Sequence, residues 1–303
     1  MSGIPTLRRG PAAGRNHVGK TSCAPDRRSA YSGAVTPPLR HLGSQLDVTI
    51  AAPADIVFSM AVASTHSPVS EELTMLLDGV PVDFHEIDTH SNVRLHRARD
   101  IPVGQLVVTY TAVVGAQTSP MDDGEAQEIL YGRPSRYCDS DRLGQVSWTH
   151  FNDHTGMALV EAIRVWVNTR IRYTLGSSRV VDGALETYLS RKGVCRDMAH
   201  LVITFCRAMN IPARLVSVYA PGLTPMDFHA VAEVWIEGAW HVIDATGLAP
   251  RQPMVRIATG RDASDTAFMT TVSGRTTLRG MSVTATVEGD LPVDDHTALV
   301  TLG

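Results

Sequence analysis

The stretch Arg191-Lys192-Gly193-Val194-Cys195-Arg196-Asp197-Met198-Ala199-His200 decides how this chain is read. After the cysteine, apolar residues at Met198, Ala199, Leu201, Val202, Ile203, Phe205, Ala208 and Met209 fall on most sides of a helix, which predicts a buried one. Asn210-Ile211-Pro212 stops it, because Pro212 disfavours helical geometry at Ile211. Cys195 then lies in the first turn, among backbone N–H groups that have no intrahelical partner. Their partial positive charge favours a thiolate over a thiol. The same groups can hold an oxyanion when a thiolate attacks a carbonyl. Gly193 lets the backbone turn or pass close to a neighbour. Cys206 lies on the same helix, roughly 16 Å further along its axis, too far for a disulfide. It reads as a packed core cysteine.

Downstream, Ala213 to Ala220 reads as a strand, Pro221 to Met226 as a loop, and His229 to Ile236 and Ala239 to Asp244 as two further strands. Glu237-Gly238 fits a two-residue hairpin turn. If Ile236 pairs with Ala239, Val231 faces Asp244. His229 and Val231 share a face, so Asp244 joins them there, diagonal to His229 at roughly 7–8 Å between backbones. A three-residue turn would put Asp244 on the wrong face. Cys, His and Asp are the attacker, base and orienter that a thiol nucleophile needs. Each also has a structural reading: Cys195 as a small apolar filler, His229 as a satisfied core histidine, Asp244 as a strand-end turn residue. Their joint placement favours catalysis. His241 alternates to the other face, and His200 lies well inside the helix as a structural residue.

These motifs together resemble the transglutaminase-like superfamily, in its bacterial thiol-enzyme branch. The residues that carry the resemblance are Gly193 to His200, the Ile211-Pro212-Ala213-Arg214 step, Phe228-His229-Ala230 and Trp240-His241-Val242-Ile243-Asp244-Ala245-Thr246. Arg256 to Asp262, with Asp265, resembles the segment that follows the core in this branch. The likeness runs from about Asp153 to Val287. It implies an α+β, papain-like core in which a central helix bearing the cysteine packs on an antiparallel sheet bearing His and Asp. It also implies Cys195 as nucleophile, His229 as general base and Asp244 as the group that orients the imidazole. Relatives include crosslinkers, peptidases and deamidases, so the resemblance leaves the reaction open, and it places no oxyanion-hole side chain.

Composition suits a soluble globular protein with a sizeable core: of 303 residues, 44% are hydrophobic and 19% charged. A net charge of −4 gives no basic field for nucleic acid. Cysteines 23, 138, 195 and 206 show no disulfide framework or zinc spacing, which fits a reducing, cytoplasmic setting. No stretch is long and apolar enough for a transmembrane helix. The expected layout is a disordered basic tail at 1–40, a small β-sandwich at 41–118, a linker or lid at 119–147, a catalytic domain at 148–289 and a tail at 290–303. Within the catalytic part, Thr155 is placed to cap a helix through Leu159, Ile163, Trp166 and Val167. Ala184 to Leu189 makes a second helix, and Arg275 to Val287 a closing strand. His85, His90 and His96 lack metal spacing and read as exposed histidines.

The expected activity is acyl transfer on peptide or glutaminyl amides of a protein or peptide substrate, without cofactor, metal, nucleic acid or membrane. The rivals are a peptide-binding module that keeps the fold without catalysis, and a metal site of Cys195, His200 and His229. The latter lacks a fourth ligand, and five helix positions do not put Cys195 and His200 on one face.

Overall fold

A computed structural model describes residues 38–89, 91–116 and 124–302. Most of the expected basic tail, with Cys23, and also His90 fall outside the described residues. The first half is all β: β1 (Arg40–Phe58), β2 (Ser70–Leu77), β3 (Val80–Pro81), β4 (His85–Asp88), β5 (Arg94–Ile101) and β6 (Gly104–Val114). Then come α1 (Glu125–Tyr131), α2 (Gly144–Phe151), α3 (Gly156–Arg170), β7 (Arg172–Tyr173), α4 (Ala184–Ser190), β8 (Lys192–Gly193) and α5 (Cys195–Ala208). Four strands, β9 (Ala213–Tyr219), β10 (His229–Ile236), β11 (Ala239–Ile243) and β12 (Val255–Gly260), precede the long β13 (Met269–Val287).

The β-rich region is one seven-stranded sheet built around β1. Alternation drives it: Leu46, Val48 and Ile50 are buried, while Asp47 and Thr49 between them point away. Along one side β1 pairs with β6 and then β5, and along the other with β13, all antiparallel. The register slips between Ile50 and Asp55, around Pro53, which cannot donate to the ladder. Opposite this irregularity Gly274 has φ +85°, and a Cβ there would run into the Pro53 carbonyl. The sheet's apolar core includes Tyr219, Val255 and Ile257 from β9 and β12, so the core sheet contributes to the layer packed on it.

The core sheet has the order β11-β10-β9-β12, with every neighbouring pair antiparallel. Helix α5 packs on it: Leu201, Val202, Ile203 and Phe205 share a buried cluster with Leu215, Ala232, Val234 and Ile243. The helix stops as its sequence dictates, with Asn210 at φ 62°, the left-handed geometry common just past a helix end. A cysteine-bearing helix on an antiparallel sheet, behind a β-rich region, is the fold class expected from the sequence.

The structure corrects several details. The strand expected at 275–287 starts at Met269 and pairs with β1 from Phe58 back to Arg40, so it belongs to the N-terminal sheet. Alternation reveals a strand but not its partner. The expected sandwich at 41–118 is therefore one sheet that takes a strand from the far end of the chain. The described part of the expected linker at 119–147 contains α1 and the first half of α2 and delivers Cys138 into the core, fully buried. The tail expected at 290–303 is docked through its described residues: the Val242 N–H donates to the Val300 carbonyl (2.8 Å), and Arg251 grips Asp294 (2.7 Å). Thr155 sits at the N-cap of α3, but its side chain makes no capping hydrogen bond. His96 is buried, not exposed, and bonds Glu86 (3.0 Å). Among the described residues no helix is long and apolar enough to cross a membrane.

Candidate active site

The hairpin forms in the expected register. Ile236 pairs with Ala239, and the pairing runs back to Ala232 with Ile243. Glu237 and Gly238 both have positive φ, 54° and 79°, as a tight two-residue turn requires. His229 Nε2 meets Asp244 Oδ2 at 2.8 Å, with both side chains about 1% exposed. The other Asp244 oxygen accepts from the Thr246 backbone N–H and hydroxyl, both at 2.8 Å. The following loop is braced by Asn168 of α3, which donates to the Ala245 carbonyl (2.8 Å).

The Cys195 thiol, half-buried at the start of α5, lies close enough to His229 to raise its pKa, and both line one cavity. Since Nε2 serves Asp244, Nδ1 faces the sulfur. Burial pulls the His229 imidazole down, but the Asp244 charge and hydrogen bond, with Cys195 nearby, outweigh it and raise it to about 10. Asp244 is itself held below the usual carboxylate range: burial opposes this, and His229 and Thr246 overcome it.

The helix start is locked in place. Asp197, buried in the first turn, accepts from the Val194 N–H (2.8 Å), the Ser178 hydroxyl (2.9 Å) and Arg196 (2.8 Å). Gly193 is there because of close approach: a Cβ would lie 2.7 Å from the Asp197 Cβ. Strands β7 and β8 pair Tyr173 with Gly193, which brings the Tyr173 ring to the nucleophile. The Cys195 backbone and thiol both lie near enough to influence its hydroxyl. Burial first, then the nearby Cys195 and Asp227, push Tyr173 up to about 12, so it keeps its proton.

His200 is not part of this group. Its Nε2 accepts from the Ala263 N–H (3.1 Å), its ring stacks on Tyr137 (centroids 5.5 Å apart), and burial pulls it down to about 4. Cys206 is fully buried, and burial pushes its thiol up to about 12, as suits an inert core cysteine. Sequence reasoning missed Tyr173 and Thr246 as contributors, and gave Asp197 no role. Asp197 bonds back to the Val194 N–H from the third helical position, but with valine at the N-cap the sequence carries no capping-box signature there.

Two cavities adjoin the pair. One, of about 490 Å³, is lined by Cys195, His229, Phe228, Phe268, Met269 and Met281, among others. The other, of about 390 Å³, is lined by Tyr173, Leu175, Leu223, Pro225 and Leu248. Asp227, Phe228 and His229 line both.

The family profile of the transglutaminase-like superfamily matches residues 149–245, a span that takes in Cys195, His229 and Asp244. The crystal structure of a "Putative Cysteine Protease from Cytophaga hutchinsonii" superposes with a TM-score of 0.79 at 30% identity, covering 87% of this chain and 96% of that one. The chain belongs to the transglutaminase-like superfamily. Among curated relatives, an uncharacterized protein of Mycobacterium leprae is 30% identical over 124 residues, 38% of this chain and 44% of its own length. An uncharacterized protein of Mycobacterium tuberculosis is 33% identical over 125 residues, 35% and 40% respectively. The chain thus spans less than half the length of these two curated relatives.

Proposed function

We propose that this protein is a thiol-dependent acyl-transfer enzyme acting on peptide or glutaminyl amides through a thioester on Cys195. The observation that carries this reading is the hydrogen-bonded His229–Asp244 pair set beside Cys195, at a helix start that opens on a cavity. A binding module would have no use for an imidazole raised beside a cysteine.

His229, held protonated by Asp244, stands beside the sulfur as an imidazolium, so the working form is a thiolate–imidazolium pair. The sulfur attacks the amide carbonyl carbon and forms a C–S bond. Negative charge moves to the carbonyl oxygen, which replaces the Tyr173 oxygen at the Cys195 N–H and takes hydrogen bonds from that N–H and from the Tyr173 hydroxyl. As the C–N bond breaks, the His229 proton passes to the leaving nitrogen and the amine departs. Water, or a second amine, then attacks the thioester. His229 takes its proton, and the C–S bond breaks to regenerate the thiolate. Asp244 touches no substrate in this scheme; it holds the ring and its charge.

The test is to incubate the protein with glutaminyl peptides and with unfolded protein, with and without a primary amine. Ammonia release or new amino termini, lost in Cys195→Ala, is the expected result. Neither product from the wild type, across a broad substrate panel, would overturn the reading.

A further inference from the structure

We infer that the site takes the main chain of an extended polypeptide, with a bulky apolar side chain seated in the cavity walled by β13, rather than a glutamine side chain. This rests on the acyl-transfer reading above and names its substrate class. The first reason is room on the leaving side. A glutaminyl carboxamide that is only hydrolysed releases ammonia, which needs no cavity of its own, so room here favours a chain or an acceptor amine, and the next two reasons favour the chain. Here a second cavity of about 390 Å³ shares the Asp227-Phe228-His229 wall with the one that holds Cys195. A chain that continues past the scissile bond in both directions uses both.

The second reason is the chemistry of the larger cavity. Leu215, Phe228, Phe268, Met269 and Met281 give it apolar walls, and two methionines make them adaptable. Of its charged lining residues outside the catalytic group, Arg196 is already held by Asp197 (2.8 Å), and Asp227 accepts from the Phe228 N–H (2.7 Å). The Ser217 hydroxyl also lines it and has no hydrogen-bond partner among the described residues, so a single polar substrate atom would satisfy it. That combination fits Phe, Tyr, Leu or Met better than a charged side chain.

The third reason is the segment between β7 and α4. Val180 is 78% exposed and lines the larger cavity; Leu175 is 68% exposed and lines the smaller. Apolar side chains placed in water on both flanks of a site suit a partner chain that covers them. The segment is fixed between them: Ser178 bonds Asp197 (2.9 Å), and Arg196 bonds the Arg179 carbonyl (2.9 Å). The N-terminal sheet, through Met269 and Met281 of β13, thereby becomes a specificity element of the site.

The experiment is to digest a proteome-derived peptide library with the full chain and sequence the new termini. Enrichment of Phe, Tyr, Leu or Met on one side of the cut is expected. Met281→Glu and Val180→Asp change partly exposed residues outside the catalytic group. Each should lower kcat/KM on the preferred peptide by roughly 10- to 200-fold, mostly through KM, while iodoacetamide labels Cys195 at the wild-type rate. Cuts without apolar enrichment, variants with unchanged kcat/KM, or ammonia release without new termini would overturn this inference and leave the acyl-transfer reading standing. No product of either kind from the wild type would overturn both.

Discussion

Strand β10 carries two buried charge clusters, about 13 Å apart by strand geometry, and they differ in what they touch. At its start, His229 binds Asp244 and meets Cys195 beside two cavities. Four positions on, on the same face, Glu233 is gripped by Arg214 (2.8 Å) and Arg256 (2.6 Å). Trp240 covers Arg214, with the guanidinium carbon 3.9 Å from the ring centroid, and neither of these two cavities reaches the cluster. All three charged side chains are at most 2% exposed. Buried charge therefore does not mark a site by itself. What separates the two clusters is an opening and a nucleophile.

The largest expected effect belongs to the open cluster. His229→Ala should lower turnover by roughly 100- to 10,000-fold, far beyond what the accompanying fall in melting temperature from leaving the buried Asp244 unpaired explains, as measured by amide hydrolysis and calorimetry. Near-normal turnover would erase the distinction between the clusters. The sealed cluster should behave in the opposite way. Glu233→Gln leaves two buried guanidinium groups uncompensated and should cost about 3–5 kcal/mol of stability in urea titration. Loss of turnover without loss of stability would move Glu233 into the chemistry. Next comes Tyr173→Phe, which removes an oxyanion donor. It should reduce kcat roughly 100-fold while leaving thiol labelling unchanged, and an equal fall in labelling would make Tyr173 a support for the helix start instead.

Stability against pH separates the clusters too, since each supplies one limb. His229 is raised from 6.5 to about 10, so its stabilising contribution is complete below 6.5 and fades as pH rises toward 10. Despite burial, Arg256 and Arg214 lower Glu233 from 4.5 to about 2, so its contribution is complete above 4.5 and fades as pH falls toward 2. Denaturant midpoints measured across pH should lose the alkaline limb in Asp244→Asn and the acid limb in Glu233→Gln. Limbs that persist in both variants would assign the pH dependence to other groups.

The open cluster was legible in the sequence because its geometry is local. A two-residue turn sets the β10–β11 register, and the register puts Asp244 beside His229. The helix start was legible for the same reason, since glycine, cysteine and apolar run are contiguous. The sealed cluster was not. Charged residues alternating with apolar ones on a strand read as a solvent face, and nothing local says that Trp240 and Tyr131 cover Arg214. The partner of β13 was hidden too, because β1 lies at the far end of the chain and pairing depends on tertiary fit. Tyr173 escaped notice because its strand, β7, is only two residues long.

The most direct test is the rate at which iodoacetamide labels Cys195 as pH varies, in the wild type and in His229→Ala. Rapid labelling below pH 7 in the wild type, lost in the variant, is the predicted result and would mean a thiolate paired with imidazolium. Slow labelling with the profile of an ordinary thiol, near 8.5, and unchanged by the substitution, would contradict it.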